Sequence, residues 1–115
     1  MGRNSPDAIA VAARELVSRM IQANRVRAGD VAYVYFTVTR DLTADFPARA
    51  VRMLGDGWEH VPLLCSQEIP VPGSMKRLLR VLMVVNTPLG QNKVRHQYLG
   101  EAARLRPDIG RGRRP

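Results

Sequence analysis

Two hydrophobic patterns follow each other within the first 38 residues, one typical of a helix and the other of a strand. Their succession constrains the fold more than any other feature. Ser5 and Pro6 suit the cap and first turn of a helix, and apolar residues then recur at helical spacing. We therefore predict an amphipathic, core-facing helix over residues 6–23. Gly29-Asp30 ends this pattern, and the β-branched and aromatic residues that follow predict a strand over residues 31–38.

The remaining sequence predicts a second helix and three further strands. Asp45 is placed to cap the helix, with Phe46-Pro47 able to shift its start by a residue or two, and Gly55-Asp56-Gly57 ends it. The predicted strands cover residues 61–65, 78–85 and 94–99. A helical turn follows over residues 100–105. The order of helix, strand, helix and three strands predicts an α+β fold.

The length of 115 residues is that of one domain, predicted over residues 1–109, with residues 110–115 as a basic, disordered tail. A monomer of this size buries a limited core, so self-association would add burial. Cys65 is the single cysteine, which excludes an internal disulfide and favours a reducing, cytoplasmic location. No apolar run approaches the roughly 20 residues of a membrane-spanning helix, and the polar residues 2–5 do not resemble a signal peptide.

The chain is strongly basic, with 18 lysines and arginines against 10 acidic residues and a net charge of +8. Such a charge suits nucleic acid, a membrane surface or a small polyanion. A nucleic-acid interface needs aromatic residues among its basic ones, whereas Tyr33, Tyr35 and Phe36 fall in a strand predicted to be buried. We therefore expect neither nucleic acid nor a membrane as partner, and favour a small anion.

Arg80 interrupts the apolar run of residues 78–85, which predicts a buried strand. An arginine buried there is costly without an anion beside it, so Arg80 is a candidate for binding one. An arginine on the exposed face of a strand fits the same pattern. Other arginines recur beside single Glu, Cys and Tyr residues, and guanidinium groups hold carboxylates bidentately. Because no nucleophile with its base is evident, we predict a site that binds and shapes a small anion without attacking it.

His60 and His96 are weak candidates for metal ligands, because neither has a cysteine or carboxylate at ligand spacing. Gly55-Asp56-Gly57 has the pattern of a turn and lacks that of a phosphate-binding loop. We therefore expect neither a metal nor a cofactor.

Several separated motifs appear in one order along the chain. They are Asp41-Leu42, Phe46-Pro47-Ala48, Val61-Pro62 with Cys65 and Gln67-Glu68, residues 77–81, and residues 96–99 with Leu105-Arg106-Pro107-Asp108. In this order and spacing they closely resemble the monofunctional chorismate mutases of the Bacillus type, from about Arg3 to Asp108. The resemblance implies a homotrimer whose sheets face one another around a central core, with active sites between neighbouring subunits. The implied reaction is the Claisen rearrangement of chorismate to prephenate, in phenylalanine and tyrosine biosynthesis.

The resemblance also implies a substrate site with Arg80 as its catalytic cation. Its substrate-binding residues would be Phe46, Ala48, Arg49, Leu63, Leu64, Cys65, Glu68, Arg80, Tyr98, Leu105 and Arg106. In the family, the arginine that matches Arg80 reaches the ether oxygen and a substrate carboxylate, and the residues that match Glu68 and Cys65 bind the ring hydroxyl. Preorganised positive charge stabilises an oxygen that gains electron density, and the rearrangement moves no proton.

The other matched residues have supporting roles in the family. Tyr98 would donate to a substrate carboxylate, residues 46, 48 and 49 would form the lip of the pocket, and Leu105 and Arg106 would fold over the substrate. By residue type alone, Cys65 is more often a small buried hydrophobe and Tyr98 a core tyrosine. Arg106 by the same criterion is a surface charge.

Relatives in this family normally begin about a dozen residues earlier, with a strand whose Arg-Gly pair supplies a substrate-binding arginine. Here Arg3 matches a different, peripheral arginine that precedes the first helix. Either this sequence starts late or the protein lacks this strand, so we expect a chorismate mutase, active or weakened, and a weakened one if the strand is absent. The first alternative is a non-catalytic binding protein for a small dicarboxylate, and the second is a nucleic-acid binder that uses the basic surface and tail.

Overall fold

The structure, a computed structural model, describes residues 2–105, apart from the side chains of residues 101, 103 and 104. Its helices and strands are α1 (Pro6–Asn24), β1 (Val31–Val38), α2 (Pro47–Arg52), β2 (Leu63–Gln67) and β3 (Leu79–Val85). Short 3₁₀ turns lie at Ala28–Asp30, Trp58–His60, Gln91–Lys93 and Gly100–Leu105. This set of helices and a mixed sheet confirms the predicted α+β fold. Within residues 2–105, no helix is long and apolar enough to cross a membrane.

α1 forms where the sequence predicts it, because both of its ends are capped. The Ser5 hydroxyl accepts a hydrogen bond from the Ala8 N–H at 3.1 Å, and Pro6 occupies the first turn. Arg25 ends the helix in the left-handed region, with φ of 52°, and its N–H donates to the Ile21 carbonyl. The inward face of the helix consists of buried apolar residues, Ile9, Ala13 and Val17.

β1 is the central strand of the sheet and lies between β2 and β3. It runs parallel to β2 and antiparallel to β3, so Phe36 lies opposite both Cys65 and Val81. Residues of α1 and α2 pack against the face that carries Val34 and Phe36. The core cluster consists of Ala13, Val17, Val31, Val34, Phe36, Ala48, Val51, Trp58, Val61 and Leu79. Burial of this apolar surface is the main favourable term in folding.

The opposite face of the sheet carries polar pairs beside exposed apolar side chains. The hydroxyls of Tyr35 and Ser66 are 2.6 Å apart and share a hydrogen bond. Leu64 and Leu82, which both pair with Tyr35, are 64% and 57% exposed, and Tyr33 is also exposed. The prediction that the aromatic residues of β1 are all buried is therefore wrong for Tyr33. Large apolar side chains grouped on one surface favour contact with another molecule.

The predicted strand over residues 94–99 is wrong. The Asn24 side chain, at the end of α1, accepts from the Arg95 N–H at 2.8 Å and donates to the Arg95 carbonyl at 3.0 Å. A side chain therefore satisfies the main-chain groups that a neighbouring strand would otherwise pair. The sheet described within residues 2–105 has three strands, while the predicted helical turn that follows is confirmed as a 3₁₀ turn.

Two other elements differ from prediction at their boundaries. α2 is capped by Phe46, while the Asp45 carboxylate accepts from the Phe46 N–H at 2.7 Å. β2 begins two residues later than predicted, at Leu63. Pro62 has no N–H to donate, so only its carbonyl joins the ladder, accepting from the Val34 N–H at 3.0 Å.

Candidate active site

An ion pair connects the end of β2 to the start of β3. Glu68 directly follows β2, where its N–H donates to the Val38 carbonyl at 2.8 Å. Arg80 is the second residue of β3. Its Nε donates to Glu68 Oε2 at 2.6 Å and its Nη2 donates to Oε1, so the pair is bidentate. This geometry fixes the orientation of the guanidinium relative to the carboxylate.

The two charges of this pair have different surroundings. The Glu68 side chain is 12% exposed, whereas that of Arg80 is 55% exposed. The hydrogen bond from Arg80 lowers the pKa of Glu68, burial opposes it, and the Thr37 hydroxyl adds to the lowering. Hydrogen bonding to Glu68 raises the pKa of Arg80, with a smaller contribution from Tyr98. Both groups are therefore charged at neutral pH.

The sequence left two interpretations of Arg80 open, a buried arginine beside an anion or an arginine on the exposed face of a strand. The structure shows a part of each. Leu79 packs in the core, whereas Arg80 and Leu82 lie on the opposite face with their side chains exposed. The prediction of a buried strand is wrong for that face, because the helices cover only the other one. Arg80 thus lies on the exposed face of a strand and also has an anion beside it, which the chain itself supplies as Glu68.

A cavity of about 730 Å³ lies between β3, α1 and the segment that follows β3. Leu16 and Met20 of α1 form part of its apolar wall. Arg80, Tyr98 and Leu105 also line it, so the structure brings these three predicted site residues together. β3 lies at the edge of the sheet, and its outer side borders the cavity. An apolar hollow with a few fixed polar groups is the usual form of a small-molecule site.

Cys65 lies on the other side of the sheet from the ion pair. It pairs with Phe36 in the neighbouring strand and packs against the core cluster, as does Leu63. Leu64, by alternation, lies on the side of Glu68. The Cys65 thiol is therefore placed apart from Glu68 within one chain. Main-chain N–H groups alternate in direction along a strand, and the Glu68 N–H points toward β1. The main-chain N–H of Cys65, three residues earlier, therefore points away from β1.

Two of the three residues predicted to form the lip of the pocket, Phe46 and Arg49, line a separate hollow. Phe46 is 66% exposed and forms this hollow of about 300 Å³ with Arg49 and residues of α1. The Arg49 Nε lies 3.2 Å from Asp45 Oδ1, and Ala48 is buried in the core. Among residues 2–105, none lines both this hollow and the cavity along β3. The predicted site residues are therefore dispersed within residues 2–105, because Ala48, Leu63 and Cys65 pack in or against the core and line neither hollow. Arg106 and the predicted tail lie outside the described residues.

The Asp41-Leu42 motif has a structural role next to the ion pair. The Asp41 carboxylate accepts from the Thr39 hydroxyl at 2.5 Å and from the Arg77 N–H at 3.0 Å. The Thr39 bond, above all, lowers the pKa of Asp41. The Thr39 hydroxyl in turn accepts from the Leu78 N–H at 3.0 Å. These bonds hold the end of β1 beside the start of β3, and so position the strand that carries Arg80.

Sequence reasoning missed Thr37, whose Oγ1 donates to Glu68 Oε2 at 2.5 Å. In the sequence, Thr37 is one of several β-branched residues that favour a strand. The sequence feature that could have indicated Thr37 is the alternation of side chains along β1, which places Thr37 on the same face as Tyr35 and opposite to Phe36. That signal does not say which face carries charged groups.

The geometry limits what these side chains can do. Glu68 and Arg80 are already charged and paired, so they suit binding and orientation of polar groups more than proton exchange. The cavity can hold a small anion against the exposed guanidinium. Among the described residues, no group of three or more histidine, cysteine or acidic side chains is placed to hold a metal ion.

The amino-acid sequence matches one family of known proteins. The model of the family "Chorismate mutase type I" matches residues 1–109. The chain is 50% identical over 107 residues to chorismate mutase AroH of Thermus thermophilus, covering 92% of this chain and 86% of that protein. It is 39% identical over 107 residues to chorismate mutase AroH of Bacillus subtilis (strain 168), covering 93% of this chain and 84% of that one.

A solved structure agrees with these sequence matches. The chorismate mutase from Clostridium thermocellum is similar, with a TM-score of 0.84 and 39% sequence identity over 88% of each chain. The matched sequence therefore folds in the same way over most of its length. Because the family model covers nearly the whole chain and both relatives exceed 30% identity, this protein belongs to the type I chorismate mutase family.

Proposed function

We infer that this chain is a chorismate mutase, an isomerase of aromatic amino acid biosynthesis that converts chorismate to prephenate. The observation that carries this is the bidentate Arg80–Glu68 pair beside an apolar cavity, in a chain that matches the family over residues 1–109. In the reaction, an ether carbon–oxygen bond breaks while a carbon–carbon bond forms within one molecule. Atoms and electrons balance without a co-reactant, so binding the folded conformer and stabilising charge are the tasks of the protein.

Arg80 is proposed to place its positive charge against the ether oxygen as that oxygen gains electron density. The Arg80 side chain is 55% exposed, while its Nε and Nη2 donate to Glu68. Glu68 would accept a hydrogen bond from the ring hydroxyl, and Tyr98 would donate to a substrate carboxylate. Arg80, Tyr98 and Leu105 line one cavity, which supports their action on one ligand. Arg106 is proposed to close over the substrate with Leu105.

We propose further that three copies of the chain form the enzyme and that each active site lies between two subunits. Exposed Leu64 and Leu82 on the uncovered face of the sheet support an interface there, since burying them would remove apolar surface from water. The separation of Phe46 and Arg49 from Arg80 supports a site completed by a neighbour. Sedimentation equilibrium should give three chains per particle, whereas a monomer at micromolar concentration would contradict the trimer.

A mixing experiment tests whether the site is shared between subunits. Arg80→Ala and Arg49→Ala chains would be purified separately, then unfolded and refolded together. If sites form between chains, about a quarter of them in a random mixture would contain both native arginines, and activity should return to that extent. Absence of recovery in correctly assembled mixed trimers would place the whole site within one chain.

The direct test of the activity is the loss of chorismate absorbance in the ultraviolet on mixing with the protein. We expect saturable, catalytic loss with prephenate as product. Binding of a transition-state analogue without turnover would instead favour the dicarboxylate-binding alternative, which the family comparisons do not support. We also propose a cytoplasmic location, in keeping with the unpaired Cys65.

A further inference from the structure

Thr37 lies on the polar face near the end of β1, opposite Ser66 on β2 and opposite Arg80 on β3. Its hydroxyl donates to Glu68 Oε2 at 2.5 Å, the same oxygen that accepts from Arg80 Nε at 2.6 Å. A threonine hydroxyl has one proton to donate, and here it is directed to the carboxylate. Glu68 is thus held from two strands at once.

We propose that Thr37 is a positioning residue, which holds the Glu68 carboxylate in the orientation that presents Oε1 to the substrate. The inference rests on the proposed role of Glu68 in binding the ring hydroxyl. Two donors, from Thr37 and Arg80, occupy Oε2, while Oε1 accepts from Arg80 Nη2. A carboxylate oxygen has two acceptor positions, so Oε1 retains one for a ligand hydroxyl.

Without the Thr37 hydroxyl, the side-chain donors to Glu68 among the described residues would all belong to Arg80. Arg80 also has a second proposed task, at the ether oxygen. The Arg80 side chain is long and 55% exposed, so it has more conformational freedom than a short side chain within the sheet. Thr37, by contrast, is β-branched and lies near the end of the central strand, where it pairs with both neighbouring strands, so its χ1 angle is restricted. The Thr37 hydroxyl therefore keeps the Glu68 carboxylate in place even if Arg80 shifts toward the substrate.

The main test is Thr37→Val, which removes the hydroxyl but keeps the branched shape. We expect kcat/KM to fall about tenfold, the size expected for losing one hydrogen bond to a charged group. Thr37→Ser restores the hydroxyl and should stay within about threefold of the parent protein. Tyr35→Phe is the matched control: it removes the hydroxyl bonded to Ser66 on the same strand and face, without touching Glu68, and should stay within about twofold.

The pH profile distinguishes positioning of Glu68 from general support of the sheet. The Thr37 hydrogen bond lowers the pKa of Glu68, so its removal raises that pKa. The acidic limb of kcat/KM should therefore move to higher pH in Thr37→Val and stay in place in Tyr35→Phe. Because all variants are assayed on the same substrate, its own titration is common to all profiles.

A double-mutant cycle separates this inference from the proposed function. Glu68→Gln should lower kcat/KM, and adding Thr37→Val to it should change kcat/KM by less than about twofold. If Glu68→Gln matches the parent, the proposed role of Glu68 fails. If Glu68→Gln is impaired but Thr37→Val keeps the parent kcat/KM and acidic limb, the Thr37 inference alone is overturned. Should Thr37→Val not fold by circular dichroism, Thr37→Ala takes its place with the same expectations.

Discussion

The two faces of the sheet, formed by the same three strands, differ in chemistry. One face carries Val34, Phe36 and Leu79, each buried against α1 and α2. The other carries Thr37 and Arg80 with the neighbouring Glu68, joined by short hydrogen bonds and bordered by exposed leucines. The first face is complete within one chain. The second leaves apolar surface and a cation available for contact, which is the state expected of a binding surface.

Stability and chemistry are divided between the two faces of one strand. Phe36 and Thr37 are adjacent in the chain, yet they point to opposite sides. Substitutions at the first should change folding, and substitutions at the second should change catalysis.

The largest effect is expected on the buried face, from Phe36→Ala. Phe36 is fully buried, so truncation should cost about 3–5 kcal/mol of unfolding free energy through lost transfer and a new cavity. Denaturant unfolding measures it, with Val11→Ala on the exposed side of α1 as the control, expected within about 0.5 kcal/mol. A Phe36→Ala protein as stable as the control would break the division between faces.

Arg80→Ala should give the largest effect on the other face, and it should be kinetic. Removing one preorganised charge donor typically lowers the rate about 10²–10³-fold. Its melting temperature should fall less than that of Phe36→Ala, since the Arg80 side chain is more than half exposed and the stability cost comes from leaving the Glu68 carboxylate, 12% exposed, without its charged donor. Arg19→Ala, which removes an exposed ion pair with Glu15, is the control and should keep turnover within about twofold. A folded Arg80→Ala protein with near-parent turnover would rule out the catalytic role.

An N-terminal extension tests whether the cavity along the outer edge of β3 lacks a substrate-binding cation. Adding about a dozen upstream residues that include an Arg-Gly pair should raise the rate at least about tenfold, by supplying another cation for a substrate carboxylate. The same extension with that arginine changed to alanine controls for the added backbone. Unchanged activity after extension would mean that the cavity is complete without it.

The smallest effect is expected from deleting residues 110–115. Their three arginines lie beyond the residues that the family model matches, which end at residue 109. Turnover should stay within about twofold at moderate salt, where screening limits long-range steering. A large loss at moderate salt would assign the tail a part in closing the site.

Prediction from sequence succeeded where local physics decides the structure. α1 starts and ends at capping residues, and β1 follows as a β-branched and aromatic run, so both match their predicted ranges closely. The strand predicted at residues 94–99 failed because a strand needs a partner. Here the Asn24 side chain, 71 residues away in the sequence, bonds Arg95 instead, and no local pattern encodes that contact.

The sequence by itself determined the family, through motifs in a specific order, and thereby the reaction class. It also determined that side chains along β1 and β3 alternate between two faces. Only the tertiary structure decided which face the helices cover, and so whether Arg80 is buried. It also brought Thr37 to Glu68 across 31 residues of sequence and Arg80 to Glu68 across 12. The physical reason is that periodicity is a property of one strand, whereas an ion pair depends on the register between strands.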